Sequence, residues 1–370
     1  MMMFLSSKYC LLSVFIFLYL LLVFLMHHFI GNDVNAYKIY VYFILFIETP
    51  VCAFFIVSVI SDNVDFNERY FLRFLLNISL LQILIVIISI TVPGVRDLIL
   101  QTSRDADLLI SISNSHGGMR SFGLASGYTS DLGMVLGIFS MLCISISLKS
   151  QNFSKKFFLL GLLFAIGAVI NARVGLFPPL FLLLLIVFLF IFNLISVFRL
   201  AVGGFFAATI FLIFSYTDFY DEKAFGRLLD MVDEVFSLIN GNKVGTFQVL
   251  ENMHFFPNDR FSFWFGTGMD VFDNKNAMSL LNSDIGYVND IFLMGLFNVL
   301  LVFVLFFTLH FRTFSYISRK FGSLVLFCLI SSLFVFYFKG VGLTSNAMTN
   351  YLVLITFGLY KLNKLGGIKL

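Results

Sequence analysis

The chain is built from apolar blocks, each near the length needed to cross a bilayer, and no other feature restricts its fold so strongly. They run approximately from Tyr9 to Ile30, Tyr37 to Ile60, Phe71 to Val92, Leu132 to Leu148, Phe157 to Ile170, Leu176 to Phe198, Leu200 to Tyr216, Ile291 to Leu309, Phe321 to Phe338 and Met348 to Tyr360. A helix needs about 20 mostly apolar residues to span the hydrocarbon, where its backbone must satisfy its own hydrogen bonds. A spanning barrel would show alternation, and none is visible. The reading is an all-α, polytopic membrane helical bundle of ten candidate spans, the fifth and tenth being short. Composition agrees, since only 12% of the 370 residues are charged and 59% are hydrophobic, against roughly 25% charged in soluble domains.

Charge placement orients the bundle. With the first connection outside, the inner side holds Arg69 and Arg73, then Lys149, Lys155 and Lys156, then Arg199, then Arg312, Arg319 and Lys320, with Lys8, Lys361, Lys364 and Lys369 near the termini. The short outer connections hold only Lys38, Arg173 and Lys339. This asymmetry follows the positive-inside rule and places both termini in the cytoplasm. The formal charge of +3 is dispersed, so it gives no electrostatic case for a nucleic-acid partner. Cys10, Cys52, Cys143 and Cys328 each fall inside an apolar block; they read as small core hydrophobes rather than a disulfide or zinc framework. The run after Lys8 is longer than a signal-peptide core and ends in His27-His28, so it reads as a retained first helix.

The same orientation puts two polar connections, residues 93–130 and 218–290, in one outer compartment. No period of 20 to 50 residues is apparent and neither end reads as a soluble domain, so residues 1–370 form a single membrane domain with loop insertions. In the larger loop Phe225, Leu228, Leu229, Val232, Val235, Phe236 and Ile239 recur at helical spacing. That predicts an amphipathic helix near 224–240, lying on the membrane surface or over the bundle. A weaker helix is expected after Pro93.

No P-loop, GxGxxG, HExxH, GxSxG or EF-hand pattern occurs. The remaining candidates are ionisable and aromatic residues at the outer ends of apolar blocks. Arg120 lies among Gly117, Gly118, Gly123 and Gly127, and Arg173 sits between two apolar blocks with almost no loop around it. A guanidinium so near hydrocarbon either faces a wet cavity or snorkels to the headgroups. Arg260 precedes FSFWFGTGMD, which holds Trp264, the only tryptophan, and Asp284 and Asp290 flank the Tyr287 region at the start of the eighth block. Trp264 and Tyr287 suit either an aromatic belt or a stacked sugar. His254 and His116 can accept a proton near neutral pH. Arginine grips a diphosphate through its planar fork, and a carboxylate or imidazole can take the proton of an attacking hydroxyl. Such a set suffices for glycosyl transfer from a polyprenyl-diphosphate sugar without metal or cofactor.

The chain resembles the O-antigen polymerases of the Wzy type, in the O-antigen polymerase and ligase superfamily. The likeness lies in MRSFGLASGYTSDLG, in INARVGLFPPLFLLLL, and in WFGTGMDVF followed by SDIGYVNDIFLMGLFNVLLVF. The topology matches over the whole chain and the motifs over about a fifth of it. The family's Arg-x10-Gly pattern is missing, and where ligases place an essential histidine this chain has Asp284 and Asp290; this favours polymerase over ligase. The resemblance implies a GT-C-like bundle in the bacterial inner membrane with periplasmic loops. It implies a glycosyltransferase joining undecaprenyl-diphosphate-linked oligosaccharide units, with a chain-length regulator and a flippase of the same pathway as partners. Arg120, Arg173 and Arg260 would hold diphosphates, Trp264 and Tyr287 the sugar, and Asp284, Asp290 or His254 would supply the base. The alternatives are an O-antigen ligase acting on lipid A core, and a non-enzymatic flippase or transporter. The last would carry charged or discontinuous helices at mid-membrane, which the apolar blocks are expected to lack.

Overall fold

The computed structural model describes residues 8–32, 36–101, 107, 110–111, 130–149, 154–191, 204, 237, 240–241, 248, 251–269, 271, 283, 285–338 and 346–366. Among these every regular element is helical. Five helices, Lys8–Phe29, Tyr37–Asp62, Glu68–Thr91, Leu132–Lys149 and Gly286–Phe321, are long and apolar enough to cross a membrane, and Val174–Leu189 and Ser323–Phe338 are shorter apolar helices. The protein is a helical membrane protein. The seventh apolar block, Leu200 to Tyr216, and the helix expected near 224–240 lie outside the described residues except at the single positions 204, 237 and 240. The helix expected after Pro93 is present as Pro93–Gln101.

The chain forms two compact units. The first comprises Met1–Glu68, Phe236–Tyr316 and Leu333–Leu370. It contains α1 (Lys8–Phe29), α2 (Ala36–Phe43), a π turn over Ile44–Glu48, α3 (Thr49–Asn63), a short α9 (Arg260–Phe265), most of α10 (Gly286–Phe321), the end of α11 (Ser323–Phe338) and α12 (Ala347–Lys364). Pro50, in the first turn of α3, accounts for the π turn. It has no N–H to donate and its ring displaces the carbonyl four residues back, that of Phe46. The Ser13 hydroxyl of α1 donates to that carbonyl instead, which locks α1 to the bulge.

α12 packs against α3, with the Thr49 hydroxyl donating to Asn350 at 3.3 Å and Lys361 paired with Asp62 at 3.6 Å. Against α10 it offers Thr356, whose hydroxyl donates to the Leu352 carbonyl at 2.9 Å. That oxygen must therefore accept from His310 Nδ1 at 2.7 Å and from Thr313 at 2.8 Å. At one end of α10 the Tyr316 hydroxyl donates to Glu68 at 2.7 Å.

The second unit comprises Arg69–Val235 and Ile317–Ser332. It contains α4 (Glu68–Thr91) beyond its first residue, α5 (Pro93–Gln101), α6 (Ser130–Lys149), α7 (Lys155–Asn171), a 3-10 turn over Arg173–Leu176 and α8 (Phe177–Ile191). Here backbone meets backbone. A Cβ on Gly137 would sit 1.8 Å from the Gly175 carbonyl oxygen, and one on Gly175 would sit 2.3 Å from that of Gly133. Gly133 and Gly137 form the small-x-x-x-small pattern by which helices in lipid approach closely. Lys149 Nζ donates to the Lys320 carbonyl at 3.0 Å, and Ser145 Oγ to that of Phe321 at 3.4 Å.

Two expectations are corrected. Three cysteines are buried, but Cys52 is exposed on α3, so it is not a core residue. The blocks are also not uniformly continuous, because α10 is interrupted at Gly295 (φ 82°, ψ 157°). This conformation is open to glycine and strained for any residue with a Cβ. A Cβ at position 295 would lie 2.3 Å from the carbonyl carbon of Phe265 and 2.4 Å from the nitrogen of Gly266. Gly295→Ala is expected to cost about 2–5 kcal/mol from strain and overpacking together. Gly94→Ala, at a position with open space, should stay within about 0.5 kcal/mol. Thermal denaturation of the purified variants in detergent checks both.

Candidate functional site

The interruption of α10 organises the candidate site. A helix broken at Gly295 deprives the carbonyls of Phe292, Leu293 and Met294 of their partners one turn on. Each is recovered. The Thr267 N–H and hydroxyl donate to the Phe292 carbonyl at 2.7 and 2.9 Å, and the Gly268 N–H donates to that of Leu293 at 3.2 Å. The Asn298 amide donates to that of Met294 at 2.6 Å. Tyr19 of α1 donates in turn to the Asn298 side-chain oxygen.

The turn that supplies these donors follows α9. Asp259 caps that helix, accepting from the Ser262 N–H at 2.8 Å. Hydrogen bonds from Ser262, side chain first and backbone second, hold its carboxyl below the usual carboxylate range. The chain then reverses through Gly266 (φ 87°) and Gly268 (φ 75°). His27 of α1 locks the reversal, with Nε2 3.0 Å from the Phe265 carbonyl and Nδ1 3.2 Å from the Asn32 amide. A carbonyl only accepts and an amide nitrogen only donates, so these contacts assign a neutral ring with its proton on Nε2.

On the other side of the turn a small core of Val271, Ile285, Val288 and Phe292 packs with Met253, Phe255 and Tyr287. Ser283 ties it together, its N–H donating to the Val271 carbonyl at 3.0 Å and its hydroxyl to that of Met253 at 2.9 Å. The Asn289 amide donates to the carbonyls of Ser283 and Ile285 at 2.6 and 3.0 Å. The first half of α10 is thus fastened to the loop at both of its ends.

Asp290 is buried here. Its oxygens accept from the hydroxyls of Tyr42 at 3.2 Å and Tyr337 at 2.7 Å. Tyr287 lies 6.2 Å from the Tyr337 ring and 4.9 Å from that of Phe338, and its hydroxyl shares a hydrogen bond with Nδ1 of the exposed His254. Ring contacts continue from Tyr287 through Phe256 and Phe263 to Trp264, at centroid separations of 6.3, 5.8 and 5.8 Å. His254, Tyr287, Asp290, Trp264 and the exposed Arg260 therefore belong to one connected cluster of the first unit.

The other candidates are not brought into it. Arg120, Asp284 and His116 lie outside the described residues. The backbone of Arg173 forms the 3-10 turn of the second unit, and its side chain is likewise not described. Among the described residues no group of three His, Cys, Asp or Glu could hold a metal ion.

Sequence reasoning passed over three participants, and a fourth residue outside the cluster. Tyr42 and Tyr337 look like any aromatic in an apolar block, and only folding brings both to one carboxylate. His27 reads as the end of a helix. Glu48 was visible, since it is the sole carboxylate between Tyr37 and Ile60. It is exposed on the π turn, near the middle of the span Tyr37–Asp62.

A buried carboxylate that loses a phenol donor is left with an unmet hydrogen bond, at about 1–3 kcal/mol. Tyr337→Phe is expected to show that loss in thermal stability, while His254→Ala, at an exposed position, should change it by about 0.5 kcal/mol or less. Acidification should release the Asp259 cap. Its carboxyl sits below its unfolded value, so its contribution is present above that value and is lost as pH falls through the folded one. Asp259→Asn, which keeps a capping oxygen without the charge, should remove this acid dependence of stability. No protein-family model, curated protein or solved structure matches this chain.

Proposed function

We propose that the protein is a glycosyltransferase of the O-antigen polymerase type, a GT-C-like bundle of about ten spans in the bacterial inner membrane. It joins undecaprenyl-diphosphate-linked oligosaccharide units at the periplasmic face. The observation that carries the reading is that exposed His254 is hydrogen-bonded to Tyr287 of α10, with Arg260 exposed a few residues after His254 in the chain. Of the cluster's members, Trp264 lies in WFGTGMDVF and Tyr287 and Asp290 in SDIGYVND, the segments that bear the family resemblance, while His254 and Arg260 precede them.

In the proposed reaction a hydroxyl of the acceptor's non-reducing sugar attacks the anomeric carbon of the donor. The bond from that carbon to the diphosphate oxygen breaks, and undecaprenyl diphosphate leaves with the bonding pair. His254 or Asp284 takes the hydroxyl proton. If Nδ1–H of His254 is donated to the Tyr287 oxygen, Nε2 carries the lone pair that can take the hydroxyl proton. Asp290 has each oxygen engaged by a phenol, which suits it to positioning α10 rather than to meeting a sugar. Arg260, Arg120 and Arg173 are each assigned to grip a diphosphate through bidentate hydrogen bonds. A chain-length regulator and a flippase of the same pathway are its proposed partners.

A flippase or transporter is the second reading, favoured by two observations. α10 is discontinuous at Gly295, and Glu48 stands near the middle of a span, the features expected of transport pathways.

The lipopolysaccharide ladder of a deletion strain separates the readings. Loss of a polymerase leaves single-repeat lipopolysaccharide. Loss of a ligase leaves core alone with polymer stranded on carrier lipid, and loss of a flippase leaves core with no polymer on either. His254→Ala is expected to shorten or abolish the ladder. Lys in place of Arg120, Arg173 or Arg260 should shorten it, because a point charge replaces the planar fork. Full-length ladders from all three Lys variants would remove the diphosphate clamp.

A further inference from the structure

The segment that carries the only tryptophan reads differently once its depth is worked out. α1 and α10 run antiparallel, and contacts fix their relative level at three heights. Arg312 lies beside the Tyr9 hydroxyl at one end, Tyr19 bonds to Asn298 between, and His27 reaches the Phe265 carbonyl at the other end. Tyr9 and His27 are separated by about 18 residues, or about 27 Å at the helical rise of about 1.5 Å per residue. Gly295 lies about 17 residues before Arg312, or about 26 Å. The hydrocarbon core is about 30 Å thick. With Arg312 and Lys8 taken as the level of one boundary, both helices bring the turn Phe265–Gly268 to the inner edge of the opposite one.

The surface of the turn fits that depth. Phe261, Trp264, Phe265 and Met269 are 65%, 47%, 46% and 40% exposed, four large apolar side chains on one short segment. The Phe265 ring lies 6.4 Å from that of Phe297. Phe297 begins an exposed row on α10 that continues through Leu300, Val304 and Phe311, the helical spacing of a lipid-facing stripe. Through that contact Phe265 at the end of α9 joins the stripe. Meanwhile the Thr267 and Gly268 N–H groups and the Phe265 carbonyl are all satisfied by protein partners, as backbone near hydrocarbon requires.

We propose that the segment Phe261–Met269 is a re-entrant element inserted in the boundary between acyl chains and headgroups, with Phe261, Trp264, Phe265 and Met269 facing bilayer lipid. Arg260, exposed at the start of α9, then stands at headgroup level. Trp264 is an interfacial anchor in this arrangement, not a platform for a sugar in water. The inference is independent of the glycosyltransferase reading, which keeps His254, Tyr287 and Arg260 whichever way Trp264 faces.

The chain contains a single tryptophan, so fluorescence excited beyond the tyrosine band reports this one position. The full chain would be reconstituted in phosphatidylcholine–phosphatidylglycerol vesicles. Emission is compared in lipid brominated near the glycerol end of its acyl chains, in lipid brominated near the methyl end, and with iodide in the aqueous phase. The expected result is a blue-shifted band that loses at least half its intensity to the glycerol-end bromines, less to the methyl-end bromines and little to iodide. Strong quenching by iodide with none by bromolipid would place Trp264 in water and overturn the proposal. Protection from every quencher would show that protein, such as a second copy of the chain, covers the segment, and would overturn it too. The measurement is repeated with the probe moved by Trp264→Phe together with Phe265→Trp, and the same ordering is expected.

Discussion

The fold of the first unit depends on how three backbone carbonyls are satisfied where water is scarce. An unmet carbonyl in hydrocarbon costs several kcal/mol, so a spanning helix can break only where replacement donors are built in. At Gly295 they come from Thr267, Gly268 and Asn298. The arrangement is reciprocal. The turn can approach because position 295 has no side chain, and a Cβ on Gly266 would likewise lie 2.6 Å from the carbonyl carbon of Met294. His27 adds a third element, so α1, the turn and α10 are held at one level. Removing any member leaves the others with buried polar groups and no solvent to receive them.

This junction places the polar cluster. The half-helix Gly286–Met294 carries both Tyr287 and Asp290, which point to different partners. Asp290 is drawn inward to phenols on α2 and α11, and Tyr287 reaches His254 at the exposed edge. The two environments differ in burial: the Asp290 carboxylate is enclosed with both oxygens bonded, and the His254 imidazole that Tyr287 meets is exposed. Elsewhere the same accounting recurs. Pro50 frees the Phe46 carbonyl and Ser13 takes it up, and in the second unit Gly133, Gly137 and Gly175 let backbones touch around the turn that bears Arg173.

Much of the architecture was legible in the residues. Long apolar runs can satisfy their backbone in lipid only as helices, so a helical membrane bundle followed from composition and block length. A helix after Pro93 followed from the apolar residues Val95, Leu98 and Ile99, with the X-Pro bond ending the preceding span. The clustering of Arg260, Trp264, Tyr287 and Asp290 at the ends of the large loop was also visible, because polar and aromatic residues stand out against blocks of Phe, Leu, Ile and Val.

Tertiary structure decided what pattern cannot carry. Gly295 lies in an apolar run with no proline to mark a break, and its conformation became possible only when the Thr267 turn supplied donors from outside the helix. Tyr42 and Tyr337 are about 295 residues apart in the chain, and nothing local indicates that they share Asp290. The position of the Phe265–Gly268 turn depends on contacts from two other helices. The sequence by itself determined that the chain must be helical and membrane-embedded, because hydrocarbon imposes that on every apolar block. Which polar groups meet inside it was settled only by folding, because hydrogen bonds between distant segments leave no periodicity to read.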